Sequence, residues 1–259
     1  MKVVVKKKQL QALYGSRHSE EAWHLYGARA QVAHTMTSVL NLAEASVPTS
    51  WRHHLVQLLA PYACTLDLFL AAEQHTCEGV LPSPPGNIFR AFAGCDFEKT
   101  CVVILGEPHV RPEWAQGLAY SVPAHNKGRP AALNSILGEV AREFGKQRSP
   151  DLSDWAPQGV LLLNTALTCR EACQRTSHQP VWEPFIDRVL QYISTNAGAV
   201  VFMLWGHAAR AKMHLLDGEK HLVLQAAHPA YAQEFAGCNH FAVANNWLVS
   251  RRREPVMWV

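Results

Sequence analysis

Four apolar segments of this chain run straight into residues that can do chemistry. Gly106-Glu107-Pro108-His109 follows residues 101–105, Asn164-Thr165 follows 160–163, Gly206-His207 follows 200–204, and His228-Pro229 follows 221–225. The set holds a carboxylate, a carboxamide and three imidazoles. A carboxylate can steady developing positive charge or orient a water. An imidazole gives or takes a proton near neutral pH, and a carboxamide both donates and accepts hydrogen bonds. No GxxxxGK[ST], GxGxxG or GxSxG pattern follows any segment. The expected chemistry is therefore acid/base and hydrogen-bonding work without a nucleotide cofactor or an elbow serine. The 14 histidines are scattered with no HxH or HxxxH pair. Of seven cysteines only Cys169 and Cys173 lie close, with no second pair to complete a zinc site. No metal is expected, and the cysteines read as reduced thiols in a reducing compartment.

The four apolar segments read as buried strands. Between them the pattern turns helical, over residues 131–144, 184–194 and 208–216, with a last helix over 240–251. Near-continuous apolar strands alternating with helices predict an α/β fold, a parallel sheet covered on both faces. In open sheets of this kind ligands sit beyond the carboxyl ends of the strands. Any one of the four strand-end motifs alone would read as loop residues satisfying backbone groups. Four at one edge read as a site.

Residues 1–49 differ from the rest. They open on a basic run, Lys6–Lys8, continue as a helix expected over 20–45 with Ser19 as its N-cap, and end at Val47-Pro48. We expect an arm or accessory helix over 1–49 and one domain over 50–259. The 259 residues carry a net charge of +3; 48% are hydrophobic and 17% charged, which excludes a disordered chain. No apolar run reaches the roughly 18 residues of a membrane span, and no secretory leader is legible. So modest a charge means that any nucleic acid must be gripped by a local patch.

The motifs resemble those of the classical uracil-DNA glycosylases. Gln158-Gly159-Val160-Leu161-Leu162-Leu163-Asn164-Thr165 is similar to that family's second-strand motif, and Val201-Phe202-Met203-Leu204-Trp205-Gly206 to its third core strand. His228-Pro229 with Gly237-Cys238-Asn239-His240-Phe241 resembles the catalytic-histidine loop and the helix after it. Gln116-Gly117-Leu118-Ala119-Tyr120-Ser121-Val122 resembles the base-stacking segment, and Pro255-Val256-Met257-Trp258 the chain end. The resemblance covers roughly residues 50–259. It implies a three-layer α/β sandwich around a four-stranded parallel sheet. It also implies excision of a base flipped out of single- or double-stranded DNA. Tyr120 would stack on the base beside Gly106, Asn164 would bond the base edge, and His228 would donate to the departing oxygen. A carboxylate would support the oxocarbenium-like sugar.

The departures lie in the same loops. The family's Gly-Gln-Asp-Pro-Tyr-His is Gly106-Glu107-Pro108-His109-Val110 here, one residue shorter. With the gap at the strand end, Glu107 stands for the catalytic aspartate; with the gap at the aspartate, Glu107 stands for the glutamine and the carboxylate role is lost. In both alignments His109 replaces the tyrosine that bars 5-substituted pyrimidines. The His-Pro-Ser-Pro-Leu-Ser loop reads His228-Pro229-Ala230-Tyr231-Ala232-Gln233, which makes Tyr231 the nearest counterpart of the leucine wedge. The Gly-Ser phosphate clamp reads Gly206-His207, and the proline-rich loop reads Arg129-Pro130-Ala131-Ala132. His207 and Arg129, with Arg111 and Lys127, would restore phosphate affinity by charge.

Two readings compete: an active glycosylase of base-excision repair with a remodelled site, or a weak or inactive relative that binds DNA or protein. The first is adopted as the expectation, with uracil or a related pyrimidine as substrate, a monomer, no cofactor and no membrane. The expected compartment is intracellular, nuclear or cytoplasmic, with mitochondria kept open. A third reading has residues 1–49 engage replication proteins through Gln9-Leu10-Gln11-Ala12-Leu13-Tyr14. The closing Arg251-Arg252-Arg253 is expected to complement a helix dipole, and Trp155, Trp182, Trp205 and Trp247 to pack the core.

Overall fold

The structure is a computed structural model and describes residues 38–76, 79–171 and 177–259. In chain order the regular elements are α1 (Val39–Ser46), α2 (Thr49–Leu59), α3 (Ala63–Thr76), β1 (Val80–Leu81), α4 (Arg90–Ala93), β2 (Val102–Gly106) and α5 (Ala131–Phe144). They continue with β3 (Val160–Asn164), β4 (Cys169–Arg170), α6 (Gln179–Asn196), β5 (Val201–Trp205), α7 (His207–Arg210), β6 (Leu222–Ala226), α8 (Ala232–Phe235) and α9 (His240–Ser250). Short 3-10 turns join several of them.

The four expected strands form one parallel sheet in the order β3-β2-β5-β6. Every residue of β2, β3 and β5 is buried, because helices cover both faces. Strand β6 is the half-buried edge. The register decides where the strands end. Gly106 pairs with Asn164, Leu105 with Leu204, and Trp205 with Ala226. The motifs of the sequence analysis therefore leave the sheet at one level, along one edge.

Helix α5 matches its expected span. Ala132, Leu133, Ile136, Leu137 and Val140 form its buried stripe, and it stops at Gly145, whose φ of +69° suits a residue without Cβ. Helix α6 starts at Gln179, five residues before the expected Pro184. Burial of Val181 and Trp182 outweighs the hydrogen bond that Pro184 removes, and the proline ring lies on the exposed face. The segment 208–216 is not one helix but α7 followed by a 3-10 turn, Ala211–Leu215.

The packed unit begins earlier than the expected boundary at 49/50. Val39, Ala43 and Val47 are buried in the main core. Asp67 of α3 holds the start of α1, accepting from the Val39 amide and the Ser38 hydroxyl at 2.7 Å each. Helix α1 is capped at Ser38, while the expected N-cap Ser19 and positions 20–37 of the expected helix lie outside the described residues. Residues 1–37, with the Lys6–Lys8 run and the Gln9–Tyr14 segment, lie outside the described residues. Among the described residues no single helix is long and apolar enough to cross a membrane.

Arg253 corrects another expectation. It does not serve its own helix dipole; its guanidinium binds the carbonyls of Lys99, Thr100 and Ala199, tying the chain end to the sheet's lower rim. Arg251 instead lies over the Trp247 ring, 5.1 Å from its centroid.

A buried polar network fixes the chain beyond β3. Glu73, whose side chain is 2% exposed, takes both forks of Arg170 and lies 3.1 Å from His178 Nε2. His178 Nδ1 lies 2.8 Å from the Thr168 hydroxyl, which accepts the Trp182 indole N–H at 2.6 Å. With neutral imidazole the donors run in one direction, from Trp182 through Thr168 and His178 to Glu73, so each buried group is satisfied.

Candidate active site

A cleft opens beyond the carboxyl ends of the strands. Leu105, Gly106 and Trp205 come from the strand ends; Glu107, Tyr120, Thr165, His207 and His228 come from the segments around them. It encloses about 240 Å³, part of it open to solvent.

Gly106 sets one wall. A Cβ there would stand 2.8 Å from Tyr120 Cε2 and 3.0 Å from Ala119 Cβ, so the missing side chain lets the tyrosine ring lie against the strand end. Tyr120 holds a φ of +62°, an uncommon conformation for a bulky residue. Its surroundings enforce it. The preceding Ala119 amide donates to Leu162, and the Tyr120 hydroxyl donates to the Leu105 carbonyl at 3.4 Å. The Ser121 hydroxyl accepts from Gln116 at 2.6 Å and from the Leu152 amide at 2.9 Å. Arg90 holds the other end of the Gln116 amide at 2.8 Å.

Gly206 sets the facing wall. Its φ is +86°, and a Cβ there would stand 2.8 Å from His228 Cβ. The histidine thus packs directly on the backbone between β5 and α7. His228 Nδ1 accepts the Ala230 amide at 3.1 Å. A nitrogen that accepts carries no proton, so neutral His228 keeps its proton on Nε2, as a donor. The ring lies 6.1 Å from that of Tyr120, and Tyr120 lies 5.5 Å from Trp205.

Trp205 is both core and cleft wall. It is buried, and its indole N–H donates to His240 Nδ1 at 2.9 Å. Burial pushes the His240 imidazole down to about 4, so the acceptor stays neutral.

Of the residues singled out from sequence, Glu107, His228, Tyr120, Gly106 and His207 line the cleft, and Gly206 backs His228. Asn164 ends β3 level with Gly106 and is 5% exposed; its Oδ1 is buried and has no hydrogen-bond partner among the described residues. An amide oxygen left so is costly unless a ligand supplies a donor. His109 is buried, its ring edge-on to Trp114 at 6.3 Å, and like Asn164 it is not among the residues that line the cleft. Arg129 is exposed ahead of α5, also outside the lining. Tyr231, 65% exposed, stands one turn past His228, with its amide donating to the His228 carbonyl at 2.9 Å. Thr165, which the sequence places in a strand-end motif without assigning it a role, and Trp205, which it assigns to the core, also line the cleft.

The sheet, the cleft beyond its strand ends and the carboxylate and imidazoles within it define an α/β protein equipped for acid/base and hydrogen-bonding chemistry. The sequence profile of the Uracil DNA glycosylase superfamily matches residues 93–249, and the chain belongs to that superfamily. A uracil-DNA glycosylase of Campylobacter hominis is 38% identical over 226 residues, covering 85% of this chain and 95% of its own. One from Streptococcus gordonii is 37% identical over 219 residues, covering 82% and 98%. Among solved structures, a mimivirus uracil-DNA glycosylase superposes with a TM-score of 0.75 at 22% identity, covering 83% of this chain and 88% of its own. The wild-type UNG structure from Nitratifractor salsuginis gives 0.60 at 19% identity, covering 84% and 95%.

Proposed function

We propose that the protein excises uracil, or a related pyrimidine, from DNA by hydrolysing the N-glycosidic bond. The observation that carries this reading is that Glu107 and His228 line one cleft, with His228 Nδ1 occupied by a backbone amide. An extruded base enters against the Tyr120 ring, and Asn164 Oδ1 accepts from its edge. As the carbon–nitrogen bond opens, its electron pair passes to the pyrimidine. The His228 Nε2–H donates to the oxygen where that charge gathers. The Glu107 carboxylate supports the oxocarbenium-like sugar and orients a water whose oxygen bonds to the anomeric carbon. The water's proton leaves to solvent or to the released base. Tyr231 enters the space the base vacates, and His207 and Arg129 hold neighbouring phosphates.

The test is release of free uracil from single- and double-stranded oligonucleotides by the purified chain. Release is expected, with His228→Ala and Glu107→Gln each lowering it at least 100-fold. No release from either substrate by folded protein overturns the reading. Binding without release, weakening with salt, supports a DNA-binding role; the shortened turn and the position of His109 are the features that favour it.

A further inference from the structure

The loop that begins at His228 and ends at Asn239 is held at its far end by another element. The Glu139 carboxylate of α5, 1% exposed, accepts the Gly237 amide at 2.9 Å on Oε2 and the Asn239 amide at 2.8 Å on Oε1. Arg142 fills the remaining positions, with Nε on Oε2 at 3.0 Å and Nη2 on Oε1 at 2.7 Å. Gly237 and Asn239 both have left-handed backbone, with φ of +81° and +57°, which turns their amides into one concave nest around the carboxylate. Arg142 also donates to the Asn239 side chain at 2.7 Å.

One turn along α5, Glu143 accepts the Ala242 amide, an orphan donor in the first turn of α9. Asn239 makes no side-chain cap for that helix. Helix α9 therefore starts on carboxylates supplied by α5. Its first residue, His240, accepts from Trp205 of the cleft wall. Burial alone would raise the Glu139 carboxyl, but the bonds from Arg142, Gly237 and Asn239 hold it at about 2.

We propose that Glu139 is a positioning residue: it braces the 228–239 loop so that Tyr231 can be driven against double-stranded DNA. The inference rests on the glycosylase reading. A duplex resists extrusion through its pairing and stacking, a load the loop must bear, while a single strand lacks the pairing. Both carboxylate oxygens accept, so Glu139→Gln must turn an NH2 toward donors at one of them. Glu139→Asp keeps both acceptors.

The experiment compares wild type, Glu139→Gln and Glu139→Asp on single- and double-stranded uracil oligonucleotides of one sequence, well below the unfolding temperature. The expected result is a tenfold or greater loss of kcat/KM on duplex for Glu139→Gln, less than threefold on single strands, and partial recovery of duplex activity with Asp. Hydrogen exchange without DNA is the second arm, with faster exchange at 231–239 and unchanged protection in β2, β3 and β5. Equal losses on both substrates, or unchanged exchange in the loop, overturn the proposal. An inactive wild type overturns the glycosylase reading instead, and the exchange arm still decides whether Glu139 braces the loop.

Discussion

Gly206 offers a direct test of how the cleft is built. Replacing it by alanine adds one carbon at a φ of +86°, 2.8 Å from His228 Cβ and 3.1 Å from its Cδ2. Ordinary contact starts near 3.4 Å, so the two Cβ atoms must separate by 0.6 Å. A Cβ cannot rotate away from its own backbone, so the His228 main chain and ring move together. With φ +86° and ψ 175° the backbone lies in a region essentially reserved for glycine, which costs roughly 1–3 kcal/mol for a residue with a side chain. In a chain of this size that lowers Tm by roughly 2–12 °C. The displaced donor costs more, since misplacements approaching 1 Å lower rates by about 100-fold. Gly145→Ala supplies the control. Its backbone is left-handed, with φ +69° and ψ 14°, and its added carbon meets nothing within 4 Å, so it carries a positive-φ cost of roughly 1–2 kcal/mol without the displacement. The assay pairs thermal unfolding with uracil release. Both variants are expected to lose a few degrees, and only Gly206→Ala to lose 10- to 100-fold in kcat. Activity of Gly206→Ala within threefold of Gly145→Ala would refute the argument that backbone contact positions His228.

Other outcomes rest on the same structure. Tyr231→Ala removes an exposed ring, so stability should hold within about 0.5 kcal/mol while duplex activity falls at least tenfold; unchanged duplex turnover would remove the wedge role. His240 is held neutral, with burial lowering it from 6.5 to about 4. The unfolded chain takes up that proton first, so the contribution is whole above pH 6.5 and drains as pH falls toward 4. It amounts to about 3 kcal/mol at most, and urea unfolding of wild type and His240→Gln across that range should show a flatter response in the variant. Glu139 works at lower pH: lowered from 4.5 to about 2, it supports the fold above pH 4.5 and loses that support toward pH 2. Glu73→Ala strips the acceptor from Arg170 and His178 in a buried network and should cost about 3–5 kcal/mol in urea unfolding.

The sheet was legible because its strands are buried on both faces. Residues 102–105, 160–163 and 201–204 are apolar without interruption, and such runs have few other places to go. Helix α5 was legible from Ala132, Leu133, Ile136, Leu137 and Val140 at helical spacing, with Gly145 as its stop. The start of α6 was not, because a proline at 184 reads as a first turn until the burial of Val181 and Trp182 is known. The β1–β4 ribbon pairs only two residues per strand, too few for a periodic signal.

Residue types at the strand ends also announced the chemistry. Glu107, Asn164, His207 and His228 each follow an apolar run, and a parallel sheet brings such ends to one edge. That much is written in the order of residues, together with the family motifs around it. Which side chains meet is set by packing alone. Two placements of the one-residue gap after Gly106 were equal in sequence. The pairing of Gly106 with Asn164 makes Glu107 the first residue past the sheet, and it lines the cleft while His109 turns to Trp114. The brace of Glu139 on Gly237 and Asn239 spans about a hundred residues and depends on two left-handed backbones. Local composition encodes which segments are buried. Contacts between distant segments depend on register, backbone handedness and the space left by glycines, which exist only once the chain has packed.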